Sequence, residues 1–359
     1  MLHIIFRPAM AIMSRLRFAL KLGLIGVLFL VPIAVLIYFL NDKIATDVAF
    51  TRAERAGVEQ LIPARTLLQS LQRYRRSSQL ILDGDKEALS RLGDIAASVE
   101  SKIEELRRLN IDSGNSERAK AGIAQIAKTW SELRQIPPRT PASLEKATSL
   151  MSEVVDYMSV IADDSNLSLD PDMDSYYLGQ AATPLLPNVM INLGKFRYIA
   201  VKALKDNFLL TEDRVKLNII YNQYVTNYQS VLASLEKSLN ARPVLVLNLQ
   251  PRIDAVRETA KFFESPKVLG ILEGKLELAP DELLNHGAGQ KDLNDLFDAS
   301  IEQLDSLLAA RIDNLQSNRF VIYAVTGTVL ILVLYLFGGM LLSVLRSLRS
   351  IQAGAERVA

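Results

Sequence analysis

Residues 320–344 read FVIYAVTGTVLILVLYLFGGMLLSV, 25 residues without a charge. As a helix this stretch is about 37 Å long, enough to cross a hydrocarbon core of about 30 Å. Upstream, residues 291–319 contain no Gly or Pro, and Leu293, Phe297, Ile301, Leu304, Leu308, Ile312 and Leu315 recur in steps of three and four. That is the spacing of one helical face. Downstream stand Arg346, Arg349 and Arg357. The pattern predicts one rod that leaves a folded domain, crosses a membrane and ends on a basic inner stub.

A second apolar run, LGLIGVLFLVPIAVLIYFL, occupies residues 22–40. It exceeds the 7–15 apolar residues, roughly, of a cleaved signal peptide, and no Ala-x-Ala site follows at Asn41-Asp42-Lys43. An uncleaved span is expected, kinked at Pro32. Arg7, Arg15, Arg17 and Lys21 precede it. By the positive-inside tendency both basic clusters face the cytoplasm. The expected layout is a cytoplasmic N-terminus (1–21), a first span (22–40), a periplasmic ligand-binding domain (41–319), a second span (320–344) and a cytoplasmic stub (345–359). The protein would be multi-pass in a bacterial inner membrane with both termini cytoplasmic.

Composition narrows the function classes. The 41 Lys and Arg balance 40 Asp and Glu, so no basic excess points to nucleic acid. No cysteine is present, which excludes disulfides, zinc–thiolate sites and cysteine nucleophiles. The two histidines, His3 and His286, are far apart, and His286 lies in a polar Gly-rich turn. No constellation for catalysis, a metal or a cofactor emerges, and no enzyme is expected.

The outer region reads as all-α, with helical spacing throughout and no sustained strand alternation. A first helix ends near Asp83-Gly84-Asp85, with Leu61, Ala64, Leu68, Leu71, Arg75, Ser78 and Leu82 on its core stripe. A second buries Leu89, Leu92, Ala96, Val99, Ile103 and Leu106. After the turn at 111–115, Ser116 caps a third helix with Ile123, Ile126, Trp130 and Leu133 inward. Pro137-Pro138-Arg139-Thr140-Pro141 breaks the chain before a fourth helix, about 143–165, burying Leu144, Met151, Val154, Val155, Met158 and Ile161. Asn166 to Asp174 form a loop, and a short helix surrounds Tyr176. Pro184 to Pro187 form a break, and helices run over about 188–208 and 211–239. Residues 242–290 read as shorter helices. Two stacked helical bundles suit about 280 residues better than one bundle.

Three features carry possible chemistry. Asp170, Asp172 and Asp174 alternate like the start of a calcium loop, but Ser175 stands where Gly is needed and Ala181 where Glu is needed. Structurally, Pro171 stiffens this loop and Asp172 or Asp174 caps the next helix; Tyr176 and Tyr177 then follow without explanation. Arg75 falls on a core stripe, so it either pairs with a carboxylate, snorkels outward or binds an anion. Arg197, beside the face of Met190, Leu193, Val201 and Leu204, faces the same choice. Tyr221, Tyr224 and Tyr228 share a face with Leu217, Val231 and Leu235, which is most simply core packing. The candidate ligand-binding residues are Arg75, Arg76, Asp170, Tyr176, Tyr177 and Arg197.

The stretches LQRYRRSSQLILDGD (71–85), LDPDMDSYYL (169–178) and LPNVMINLGKFR (186–197), set between two spans, resemble bacterial transmembrane chemoreceptors, the methyl-accepting chemotaxis proteins. The outer region is similar to their helical bimodular type, and nitrate- and nitrite-sensing domains have a similar build. Residues 345–359 resemble the first helix of a HAMP linker, without the proline that commonly follows the second span. Where related receptors read His-Arg-Gly, this chain has Tyr74-Arg75-Arg76. The resemblance implies a homodimeric sensory receptor for chemotaxis that binds an organic acid or inorganic anion and passes a helix displacement to a cytoplasmic signalling module. That module is absent from these residues, so a longer protein is expected. The sensor of a histidine kinase or diguanylate cyclase, or a membrane-anchored protein that docks a periplasmic partner, are the alternatives.

Overall fold

A computed structural model describes residues 18–82, 84–112, 116–285 and 288–355, with residues 7, 10, 13, 14 and 16 near the N-terminus. His3, Arg15, Arg17, Asp83, residues 113–115, His286 and Arg357 lie outside the described residues. Among those described, the secondary structure is helical, with no strand. The helices are α1 (Phe18–Leu82), α2 (Glu87–Asp112), α3 (Glu117–Gln135), α4 (Pro141–Asp164), α5 (Met173–Gln180), α6 (Leu186–Asp206), α7 (Thr211–Ala241), α8 (Val246–Phe263), α9 (Pro266–Glu273), α10 (Pro280–Asn285) and α11 (Ala288–Ala355). Two compact units result, one of Phe50–Ala310 and one of Met1–Ala49 with Arg311–Ala359.

In the smaller unit, α1 and α11 each carry a segment long and apolar enough to cross a membrane, and neither apolar segment is buried within the protein. Leu28, Phe29, Leu36, Ile331 and Tyr335 all stand exposed. The helix runs through Pro32 without interruption. Below the apolar segments Ile44, Val48 and Ile312 pack together, and the Tyr323 hydroxyl donates to Asn41 Oδ1 at 2.5 Å. At Gly26 a Cβ would lie 2.9 Å from Phe337 Cζ, whereas at Gly23 it would meet nothing within 4 Å. Gly26→Leu is therefore expected to cost about 1–3 kcal/mol by overpacking. A lower thermal-unfolding midpoint in nanodiscs, with Gly23→Leu as the unchanged control, checks this.

In the larger unit, the expected apolar faces of α2, α3 and α4 form one core with α1, α5 to α8 and α11. Ser116 Oγ accepts from Ala119 N at 3.2 Å, as an N-cap should, and Thr140 caps α4 in the same way through Ser143 N. Pro141 therefore starts α4 instead of preceding it, because a first-turn proline has no N–H bond to lose. On α1 the close packing of two helices requires Gly57, where a Cβ would stand 2.0 Å from Ser165 Oγ.

Several expectations are corrected. Leu82 and Leu89 are exposed, while Ile81 and Ala88 are buried beside them. The α1 stripe turns slightly, placing Leu67, Leu71, Tyr74, Ser78 and Ile81 inward and Arg75 at its margin. Tyr74 then meets Trp130 edge-on at 5.1 Å. No break occurs between Pro184 and Pro187. A π-helical turn, Ala181–Leu185, joins α5 to α6, and its wider winding accommodates the ring of Pro184. Asn188 Nδ2 donates to the Pro184 carbonyl at 2.7 Å. Asp172 occupies the N-cap of α5, but its side chain makes no capping bond. The tyrosine stripe of α7 packs inward: Tyr224 and Tyr228 are buried, with Tyr224 6.0 Å from Phe263.

Candidate functional site

Faces of α1, α6 and α11, with Pro141 and Met151 of α4, supply a cavity of about 840 Å³ within the larger unit. From α1 come Arg65, Gln69, Gln72, Arg76 and Gln79, steps of four and three that form a polar stripe alongside the apolar one. From α6 come Met190, Gly194, Arg197, Val201 and Lys205, and from α11 Lys291, Asn294, Asp295 and Asp298. Eight basic side chains line the cavity against three acidic ones. Its excess charge is positive.

Arg75 bridges two walls. Its Nε donates to Thr148 Oγ1 of α4 at 2.9 Å and its Nη1 to the Gly194 carbonyl of α6 at 3.5 Å. The guanidinium lies 5.2 Å from the Tyr198 ring centroid, a cation–π arrangement. Its contacts are a hydroxyl, a carbonyl and a ring; among the described residues no carboxylate forms a salt bridge with it. An arginine has five N–H donors, so most of this fork stays open for an acceptor. Burial pushes its proton affinity below the usual arginine value, partly opposed by Tyr198. Burial also lowers Arg197, to about 10, with the charge of Arg76 adding to the effect. Lys195 is lowered too, by burial and then by Arg75. Cations crowd here, and burial makes the charges of Arg75, Arg197 and Lys195 costly.

Arg65 has a different environment. It donates to Asp298 Oδ2 at 2.5 Å and to the Asn294 carbonyl at 3.4 Å, so α1 and α11 are clasped at the cavity wall. Burial raises the Asp298 carboxyl above its usual range, opposed by Arg65 and reinforced by Asp295. Gln290 Nε2 donates to Gln72 Oε1 at 3.2 Å across the same pair of helices.

Of the sequence candidates, Arg75, Arg76 and Arg197 line this cavity together. Asp170, Tyr176 and Tyr177 do not. Asp170 is buried, with Oδ1 accepting from Asp172 N at 2.9 Å. Asp174 Oδ2 accepts from Arg242 Nε at 2.9 Å, so the alternating aspartates are divided among separate structural partners. Tyr176 lines a smaller cavity of about 260 Å³, and Tyr177 lies under the Lys237 ammonium at 4.7 Å. Sequence reasoning passed over Arg65, Tyr198, Lys202, Lys205 and the α11 face. The period of the polar stripes on α1 and α11 signals Arg65 and the α11 face; Tyr198, Lys202 and Lys205 lie on α6, where no such stripe marks them. Comparisons with family models, with curated proteins and with solved structures yield no match for this chain.

Proposed function

We propose that this chain is the sensing portion of a bacterial transmembrane receptor that binds an anion in its helical domain. The observation that carries the reading is the cavity with its positive excess, in which a half-buried Arg75 has no carboxylate partner among the described residues. Both α1 and α11 wall it, and both carry an apolar membrane-crossing candidate further along the same helix. An anion bound among their cations shifts the balance between arrangements of the two helices by its difference in affinity for them. The proposed layout places the larger unit in the periplasm and the basic ends in the cytoplasm, with 345–359 beginning a HAMP-like relay. A homodimeric chemoreceptor is the favoured output, with a histidine kinase or diguanylate cyclase as variants of the same mechanism.

A second reading, docking of a periplasmic protein, draws on exposed Leu169, Met173, Val244 and Leu247, whose segments the Asp174–Arg242 pair joins.

The test is thermal unfolding of the intact protein in phosphatidylcholine nanodiscs with nitrate, nitrite, malate, citrate or phosphate, against neutral sugars. An anion at a hundred times its Kd should add about 2.7 kcal/mol, a shift of several degrees. Because Arg197 titrates only near 10 and nitrate has no proton to lose in this range, nitrate affinity should be flat between about pH 6 and 8. Absence of any anion-dependent shift sinks the sensor reading and leaves docking.

A further inference from the structure

We infer that the anion taken by this cavity is an extended polyanion, a linear chain of two or more phosphates; the inference rests on the anion-sensor reading above. Size is the first argument. A cavity of about 840 Å³ lies toward the upper end for a drug-sized ligand. A single small inorganic anion, on the scale of one or two waters of about 30 Å³ each, leaves most of that volume to solvent.

Charge is the second. Eight basic groups face three acidic ones, so a monoanion leaves most of the excess uncompensated. The third argument is spread. Arg65 and Arg76 are separated by about 16 Å along α1, and Arg197 and Lys205 by about 12 Å along α6, at 1.5 Å per residue. No single small anion reaches both ends of either row. A chain whose charges recur along its length does.

Donor direction selects phosphate over carboxylate. The basic groups arrive from α1, α6 and α11, three different sides. A planar carboxylate accepts mainly in its own plane, whereas tetrahedral phosphate offers oxygens to all of them. The phosphate chain has two natural sources, inorganic or carried on a nucleoside, and apolar Met151, Met190 and Val201 beside the cations give a base somewhere to lie.

The experiment is calorimetric titration of the intact protein in phosphatidylcholine nanodiscs, in magnesium-free buffer, with orthophosphate, tripolyphosphate, citrate, nitrate and adenosine triphosphate. Tripolyphosphate is expected to bind at least 100-fold tighter than orthophosphate, and to weaken more steeply with added salt. The exposed pair Lys202→Gln/Lys205→Gln should cut that advantage about tenfold. Equal affinity for tripolyphosphate and adenosine triphosphate assigns the inorganic source; tighter nucleotide binding assigns the organic one. Nitrate, citrate or orthophosphate binding as tightly as tripolyphosphate overturns the polyanion and leaves the sensor standing. No binding by any anion removes both.

Discussion

Replacing Arg75 by Met should lower anion affinity about 10- to 150-fold while leaving the unliganded protein as stable as before, or more so. The two halves of this expectation have one cause. The guanidinium is buried enough to lose hydration, and its contacts are a hydroxyl, a carbonyl and a ring. Those contacts offset its desolvation incompletely, so removing the charge relieves a cost of about 1–2 kcal/mol. Met keeps much of the apolar stem. Thr148 keeps its own bond to the Leu144 carbonyl at 2.7 Å, so no buried donor is stranded. The bound anion, in contrast, loses a charged fork, and a charge-assisted bond of about 1.5–3 kcal/mol matches a loss of about 10- to 150-fold. Arg75→Lys keeps the charge without the planar fork and should fall between wild type and Arg75→Met. Denaturation and titration on the same preparations separate the outcomes. Lower stability with unchanged anion affinity would make Arg75 a structural strut and remove it from the site.

The same residue marks the boundary of what was legible in the sequence. Helix faces were readable where one apolar stripe ran without competition, as on α3, where the Ser116 cap and the Ile123, Ile126, Trp130 and Leu133 face all stand in the structure. On α1 an apolar stripe and a polar stripe run side by side, and successive residues are separated by about 100° around a helix. Tyr74 and Arg75 both fall near the edge of the apolar stripe; packing of Tyr74 against Trp130 decides which turns inward. The α11 wall was beyond reach for another reason. Gln290 and Asp298 meet α1 across more than two hundred residues of chain, and no local pattern specifies that pairing. The partner of Asp174 was equally out of reach, because Arg242 stands 68 residues away. Pro184 misled because a breaker was weighed without the π turn that absorbs it.

Phe196→Ala is the substitution expected to cost most in stability, about 3–5 kcal/mol. The ring is 1% exposed and lies 5.8 Å from Tyr221 of α7 and 6.3 Å from Phe263 of α8, so its loss leaves a cavity where three helices meet. With a urea m-value of about 3 kcal/mol/M for a unit of this size, the midpoint should fall by about 1–1.7 M. Phe196→Leu, which retains most of the volume, should cost less than about 1.5 kcal/mol. The effect should extend to binding. Arg197 is the next residue, and Gly194, Tyr198, Val201 and Lys202 of the same helix also line the cavity. A helix no longer anchored by Phe196 presents them with less fixed geometry, so anion affinity should drop as well. Anion at a hundred times the weakened Kd should then restore about 2.7 kcal/mol of the lost stability. If Phe196→Ala lowers the urea midpoint but leaves anion affinity untouched, the cations of α6 are positioned by contacts other than this aromatic anchor. Arg75, held by Thr148 of α4, would then be the element that fixes the site.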